Sequence, residues 1–247
     1  MADIASDEAL QHLKSLYPYR EITSSDVIQN PWYIVTLLSF TTGNRPDAVP
    51  LLFKYVLGEL ERTQNRIGVS DVEATRERLL LARRFRDAIF KGGIISGYSK
   101  AINALISLHE VTPKELCDTK LQRETALSLP EVERRGEVFF REYYGETADY
   151  VQGLLDKIYP DMGWFSNTIA YGVVYGYTEV LNQLETAYVL VGALIAVDTP
   201  RQIGWHLANA RRGGASLEQA RAARQIAIEA SRSAGVIWRN EVPEVKE

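Results

Sequence analysis

The sequence predicts an all-α protein, and three observations support this fold class. Apolar residues recur at helical rather than strand spacing in nearly every segment that shows a periodic pattern. Strand signals are scarce, and the β-branched residues are scattered within the helical patterns. Helix-start and helix-stop signals repeat along the chain, most densely between residues 184 and 235.

The first part of the chain contains five predicted helices, identified from apolar periodicity and from the residues at their ends. They span residues 7–16, 32–40, 48–62, 70–90 and 101–108. The fourth opens with the capping sequence Ser70-Asp71-Val72-Glu73, and Lys91-Gly92-Gly93 is predicted to stop it. A polar stretch at about 119–137 then separates the two halves of the chain.

Six more helices are predicted in the second part of the chain. They span residues 136–144, 148–158, 165–177, 184–197, 199–212 and 216–234. The segment 184–197 is almost wholly apolar, so we expect it to be buried on all sides. Thr199, Pro200 and Gln202 form a helix-start signature for the next helix, and Ser216 with Gln219 forms a capping box for the last.

The composition is that of an ordinary soluble globular protein, because 46% of the 247 residues are hydrophobic and 24% are charged. A net charge of −4 argues against a nucleic-acid-binding protein, which needs a concentrated basic surface. The pairs Arg83-Arg84 and Arg211-Arg212 are interpreted as solvated helix faces. The single cysteine, Cys117, excludes an internal disulfide and a multi-cysteine metal site.

Targeting and membrane signals are not seen in the sequence. The amino terminus is acidic and polar, unlike a secretory signal. The apolar run 187–197 is about half of the roughly 20 residues that a membrane-spanning helix needs. The final residues Val245-Lys246-Glu247 are no peroxisomal address signal. We therefore expect a cytoplasmic protein that does not contact membranes.

His206 is the first candidate for chemistry. It borders the apolar face of its helix, where a partly buried imidazole that titrates near neutral pH suits general acid/base catalysis. The alternative is a histidine at the core edge that is hydrogen-bonded to a neighbour. Gln202 lies one turn earlier and either holds a substrate oxygen or completes the helix cap. Glu185 begins the buried helix and is either a proton carrier or a helix-terminal charge.

Further polar side chains are candidate substrate-binding groups. Asn167, Tyr171 and Tyr175 recur every four residues on an aromatic helix, which either packs in a core or lines a cavity for a carbonyl-containing ligand. Tyr98 and Asn103 follow a glycine-rich stretch. No strand precedes these glycines, so close helix packing explains them better than a phosphate-binding loop.

The segment 184–235 resembles the domain shared by carboxymuconolactone decarboxylases and alkylhydroperoxidase D-like proteins. In that domain a buried helix precedes a histidine-bearing helix, a turn of small residues and a final helix. The residues that match this pattern are Glu185, Gln202, His206, Ala210, Gly214-Ala215-Ser216 and Glu218. Residues 90–105 resemble the corresponding region of duplicated members, so the similarity spans roughly 75–236. It implies a duplicated helical fold at 71–240, an N-terminal helical extension at 1–70, and a homo-oligomer.

The chain departs from the peroxidase branch of this superfamily, which uses two cysteines in a CxxCxxxH motif. Aligning His206 with the motif's histidine places Thr199 and Gln202 at the cysteine positions. The resemblance therefore points to the cysteine-free, decarboxylase-like branch. It implies an enzyme without cofactor or metal, in which His206, assisted by Glu185, Tyr171 and Gln202, transfers protons on a lactone, enol or β-keto acid.

Two alternatives to this activity stay open from the sequence. One is a non-catalytic protein of the same fold that uses its pocket for ligand binding or oligomerisation. The other is a peroxidase-like antioxidant relative, which the missing CxxC disfavours. A pocket in which His206 meets solvent together with a carboxylate or a tyrosine favours catalysis. A ring sealed by side chains favours a structural role for this histidine.

Overall fold

The computed structural model describes residues 4–246, and it is helical with no strand among those residues. This confirms the all-α fold class. Within the same residues no helix is both long and apolar enough to cross a membrane. The outermost residues, 1–3 and 247, on which the judgements about targeting signals partly depend, lie outside the described part.

The helices are numbered in chain order, and most of them match the predicted ones closely. They are α1 (Asp7–Ser15), α2 (Ser24–Gln29), α3 (Trp32–Thr42), α4 (Ala48–Ile67), α5 (Asp71–Ser96), α6 (Tyr98–Val111), α7 (Leu129–Tyr144), α8 (Ala148–Ile158), α9 (Pro160–Trp164), a π-helical segment (Phe165–Tyr175), α10 (Gln183–Ala196), α11 (Pro200–Arg212) and α12 (Leu217–Ser233). Helices α2 and α9 have no counterpart among the predicted helices, and α7 begins earlier than the sequence pattern indicates.

Helices α3 and α10 pack against each other at the centre of the fold, and α5 and α12 pack against both of them. All residues of α3 are buried, and so are all residues of α10 from Glu185 to Ile195. The prediction that the apolar helix is buried on all sides is therefore confirmed. Because α3 lies within residues 1–70, this part of the chain contributes directly to the common core.

The predicted stop at Lys91-Gly92-Gly93 is wrong, because α5 continues through it to Ser96. A Cβ on Gly92 would lie 2.0 Å from Cδ1 of Leu38 on α3, so the missing side chain allows close helix packing. The helix ends instead before Gly97, whose φ of 96° is a conformation that favours glycine.

The segment Phe165–Tyr175 is a π-helix rather than an α-helix. Its last bond runs over five residues, from the backbone N–H of Gly176 to the carbonyl of Tyr171. Two glycines allow this segment to pack closely against α7. A Cβ on Gly136 would lie 2.0 Å from the carbonyl oxygen of Asn167, and one on Gly172 would lie 2.5 Å from that of Val132.

The polar stretch between α6 and α7 is bound to α5 by ion pairs. Asp118 pairs with both Arg83 and Arg86, at 2.8 and 2.7 Å. Arg123 pairs with Asp87 at 2.5 Å. Its guanidinium also lies over two aromatic rings, 4.4 Å from that of Phe90 and 4.6 Å from that of Tyr177. These contacts place the connection between the two halves along one side of α5.

Candidate functional site

His206 is sealed inside the protein. Only 5% of the residue is exposed. Its Nδ1 lies 2.9 Å from the hydroxyl of Tyr143, and its Nε2 lies 3.4 Å from that of Tyr144. Burial lowers the pKa of His206 to about 3, so the ring is neutral at physiological pH. The expected titration near neutral pH is therefore wrong, and the geometry is that of a core histidine hydrogen-bonded to its neighbours.

The aromatic residues of the π-helical segment complete a buried cluster around this histidine. Tyr171 donates a hydrogen bond to the hydroxyl of Tyr144 at 3.0 Å, and the ring of Tyr175 packs against that of Tyr171. We call Tyr143, Tyr144, Tyr171, Tyr175 and His206 the tyrosine–histidine cluster. The structure thus brings together three residues that the sequence singled out. None of the five side chains lines the cleft that is described below.

The other predicted pocket residues lie apart from this cluster. Tyr98 is 82% exposed, and Asn103 is also on the surface. Asn167 donates a weak hydrogen bond to the carbonyl of Glu133. Gln202 is half-buried, but the predicted cap at the start of α11 does not form, because Thr199 makes no side-chain cap hydrogen bond. Instead, the hydroxyl of Thr199 contacts the carbonyl of Leu194 at 3.4 Å.

Glu185 takes part in two kinds of contact at the start of α10. It forms a capping box with Asn182, in which Oε2 accepts the backbone N–H of Asn182 at 2.9 Å and the Asn182 side chain accepts the N–H of Glu185. Its Oε1 accepts a hydrogen bond from Nη2 of Arg84 at 2.5 Å. The carboxylate is therefore held in one orientation by groups from both halves of the chain.

Arg84 is buried, contrary to the expected solvated face, because it lies on the same side of α5 as the buried residues Leu81 and Ala88. Its Nε donates to the hydroxyl of Tyr33 at 2.7 Å, and its Nη1 contacts the carbonyl of Val180 at 3.4 Å. Burial by itself would lower the pKa of Arg84, but attraction to Tyr33 and Glu185 raises it overall. A guanidinium has five N–H groups, so two remain without a partner among the described residues.

The Arg84–Glu185 pair lines a surface cleft of about 890 Å³. The cleft is lined by the first half of α5, by the segment 178–188 and by Gln219 at the start of α12. Residues 17–31, which belong to the N-terminal part of the chain, close one side. The cleft thus lies where four parts of the chain meet, which is a common place for a ligand site. Its mouth carries both positive and negative side chains, including Arg76 and Glu179.

Two tyrosines that also line this cleft are paired through their hydroxyls. The hydroxyl oxygens of Tyr17 and Tyr188 lie 2.9 Å apart, and the rings pack edge to face. Burial raises the pKa of both phenols above the usual value, so both stay protonated at neutral pH. A carboxylate, a guanidinium and two neutral hydroxyls therefore converge on one cavity.

The sequence pattern points to Glu185 as a site residue but not to Arg84, Tyr17 or Tyr188. A usable signal existed for Arg84, since it is placed three residues after Leu81 and four before Ala88, at the spacing of one helix face. No comparable signal marks Tyr17, because it follows α1 in a short irregular segment. Its proximity to Tyr188 is a product of the tertiary fold, across 171 residues of chain.

Comparison with known proteins gives two relatives and no matching family model. Peroxisomal protein 2 of Saccharomyces cerevisiae is 24% identical over an alignment of 261 positions, gaps included, which covers 87% of this chain and 92% of the yeast protein. Peroxisomal protein 2 of Schizosaccharomyces pombe is 26% identical over 210 residues, which cover 85% of this chain and 90% of that protein. The similarity therefore covers most of this chain and most of each relative. The names of the relatives refer to a location and not to a reaction.

Proposed function

We propose that this protein is a cofactor-independent enzyme that transfers protons on a small oxygenated carbon acid, such as a lactone, an enol or a β-keto acid. The reaction takes place in the cleft of Arg84 and Glu185. One observation above all supports this: a carboxylate held by two oriented hydrogen bonds lies beside a buried guanidinium and two hydroxyls, on the wall of a cavity large enough for such a substrate.

Each group has a distinct role in the proposed reaction. The Glu185 carboxylate accepts a proton from the carbon next to the substrate carbonyl and later returns it to carbon. The two unpartnered N–H groups of Arg84 bind the carbonyl oxygen, on which negative charge develops. The hydroxyls of Tyr17 and Tyr188 line the same cleft; because one donates to the other, one O–H of the pair is left to donate to a substrate oxygen. No metal or redox group takes part in these steps.

His206 does not act on the substrate in this proposal, although the resemblance assigns it the proton transfer. An acid/base group must reach the proton that it moves, and His206 is enclosed by tyrosines in the interior and does not line the cleft. Glu185 is the other residue that the resemblance implicates, and it does line the cleft. We retain the duplicated, decarboxylase-like fold as part of the proposal, because Arg84 and Glu185 come from its two halves.

A second candidate is a ligand-binding protein of the same fold without turnover. The observation that favours it is that both oxygens of Glu185 are already hydrogen-bonded, Oε1 to Arg84 and Oε2 to Asn182. A peroxidase-like activity has less support. Cys117, the one thiol of the chain, does not line the cleft.

The location of the protein is also a proposal. Both relatives are named as peroxisomal proteins, so we infer a peroxisomal rather than a cytoplasmic site of action. A fluorescent fusion of the full chain, imaged in yeast together with a peroxisomal marker, tests this inference. Diffuse fluorescence in cells with normal peroxisomes would contradict it.

The test of activity combines a substrate screen with one isosteric variant. Lactones and β-keto acids are incubated with the protein in deuterated water, and NMR records deuterium incorporation and loss of carbon dioxide. Glu185→Gln keeps the shape of the side chain but removes the base, so we expect turnover to fall about 100-fold or more. Glu179→Gln is the matched control, since it removes an exposed carboxylate from the same cleft. Equal turnover by Glu185→Gln and the wild type would refute the proposal, and binding without turnover would support the second candidate.

A further inference from the structure

Helix α5 carries a lysine whose ammonium group is fully inside the protein. Lys91 has 0% exposure and ranks among the largest fully buried side chains. It follows Arg84 by seven residues, or two helical turns, so both side chains project from the same face of α5. Burying an ammonium is costly unless hydrogen bonds and a counter-charge compensate for the lost water. The partners of Lys91 therefore indicate what it does.

All four hydrogen bonds of Lys91 go to one segment of the chain, residues 175–186. Its Nζ donates to the carbonyl of Tyr177 and to the hydroxyl of Thr186, each at 2.8 Å. Longer contacts reach the carbonyls of Leu181 at 3.3 Å and of Tyr175 at 3.4 Å. Burial lowers the pKa of Lys91 to about 8, so at neutral pH the group is still mainly an ammonium with three N–H donors.

The 175–186 segment consists of the end of the π-helical segment, the irregular connection 176–182 and the first turn of α10, which carries the carboxylate of the cleft. Thr186 directly follows Glu185, and the carbonyl of Val180 in the same segment contacts Arg84. Asp87 lies between Arg84 and Lys91 on α5, with Oδ2 at 3.6 Å from the ammonium. Successive turns of one helix thus hold the segment from Tyr175 to Thr186 against α5.

We propose that Lys91 is a positioning residue for Glu185. By binding Tyr177, Leu181 and Thr186, it fixes the segment whose end places the Glu185 carboxylate against Arg84. Lys91 itself does not line the cleft, so it acts through the segment and not on a ligand. This inference rests on the proposed role of Glu185 in catalysis, but the position of the segment can be measured without any substrate.

The first experiment is hydrogen–deuterium exchange of the full chain, read by mass spectrometry. Lys91→Met removes the donors and keeps the length of the side chain. We expect amides in residues 176–186 to exchange about tenfold faster or more, because several bonds to a charged group are lost, while α12 is unchanged. Lys100→Met is the matched control, since Lys100 also donates to a carbonyl, that of Thr42 at 2.7 Å, outside the segment.

A second variant keeps the inference testable if Lys91→Met does not fold. Thr186→Val removes one acceptor, leaves the charge in place and preserves the volume of a fully buried side chain. We expect the same local increase in exchange, at a smaller size. If exchange in residues 176–186 rises no more than in α12 for the variants that fold, the positioning role is refuted.

A kinetic measurement separates positioning from a general effect on stability. With a substrate from the screen, Lys91→Met should lower kcat about tenfold or more and leave KM within about threefold, because it contacts no part of the cleft. An unchanged kcat per folded molecule would refute the inference. If the wild type turns over none of the substrates in the screen, the proposed enzyme activity is refuted. The exchange data and the carboxyl ¹³C signal of Glu185 in each variant then decide the positioning role alone.

Discussion

Replacing His206 by asparagine should make the protein less sensitive to acid. In the folded state the pKa of His206 is about 3, because the ring is buried. In the unfolded chain a histidine has a pKa of about 6.5. Below pH 6.5 the unfolded chain therefore binds a proton that the folded protein does not bind, and the free energy of unfolding falls as the pH falls.

The size of this effect follows from the difference between the two pKa values. Each pH unit below 6.5 lowers the free energy of unfolding by about 1.4 kcal/mol. Between pH 7.5 and pH 5.0 this residue alone therefore lowers it by about 2 kcal/mol. The loss continues until the pH approaches about 3, where the folded protein also begins to bind the proton. At neutral pH the ring is neutral in both states, so its protonation no longer changes the free energy of unfolding.

The assay is urea unfolding of the wild type and His206→Asn at pH 7.5 and pH 5.0. The variant is expected to be less stable at pH 7.5, since it disturbs the hydrogen bonds to Tyr143 and Tyr144. Its further loss at pH 5.0 should be smaller than that of the wild type by about 2 kcal/mol. His12→Asn is the control, because the His12 side chain is 58% exposed. If the free energy of unfolding falls equally in the wild type and in His206→Asn between pH 7.5 and pH 5.0, the ring is not enclosed. His206 would then again be a candidate acid/base.

Two further predictions concern packing and the cleft. Gly136→Ala should lower the free energy of unfolding by about 3 kcal/mol, because the new Cβ would lie 2.0 Å from the carbonyl oxygen of Asn167. Gly153→Ala is its control: nothing lies within 4 Å of that position on α8, so urea unfolding should show equal or greater stability. Tyr17→Phe should cost about 1.5 kcal/mol in the same assay, because it leaves the buried hydroxyl of Tyr188 without its partner. An unchanged free energy of unfolding in Tyr17→Phe would show that the two hydroxyls do not form a hydrogen bond.

Much of the fold could be predicted because its signals are local. Ser216 and Gln219 form the predicted capping box, and the ends of α10 and α12 lie within a residue or two of the predicted ones. Such caps involve residues three apart in sequence, so they can be identified without knowledge of the rest of the protein. The same reasoning failed at Gly92, where contact with Leu38 of another helix explains the glycine.

The candidate site was less predictable, because its residues meet only in the folded protein. The position of Glu185 at the start of a buried helix marks it as a candidate, but its partner Arg84 lies 101 residues away in the chain. The sequence pattern puts His206 at the border of an apolar face, whereas the structure buries it with Ile203 and Leu207. Whether that edge opens into a cavity depends on Tyr143, which is 63 residues distant.

By itself the sequence determined that this chain is helical, where most helices begin and end, and that α10 is buried. These properties follow from periodicity and from contacts within about one helical turn. Tertiary structure alone decided that His206 is enclosed by tyrosines and that Arg84 and Glu185 share a cleft. The physical reason is that the hydration and charge state of a side chain depend on which distant residues pack around it.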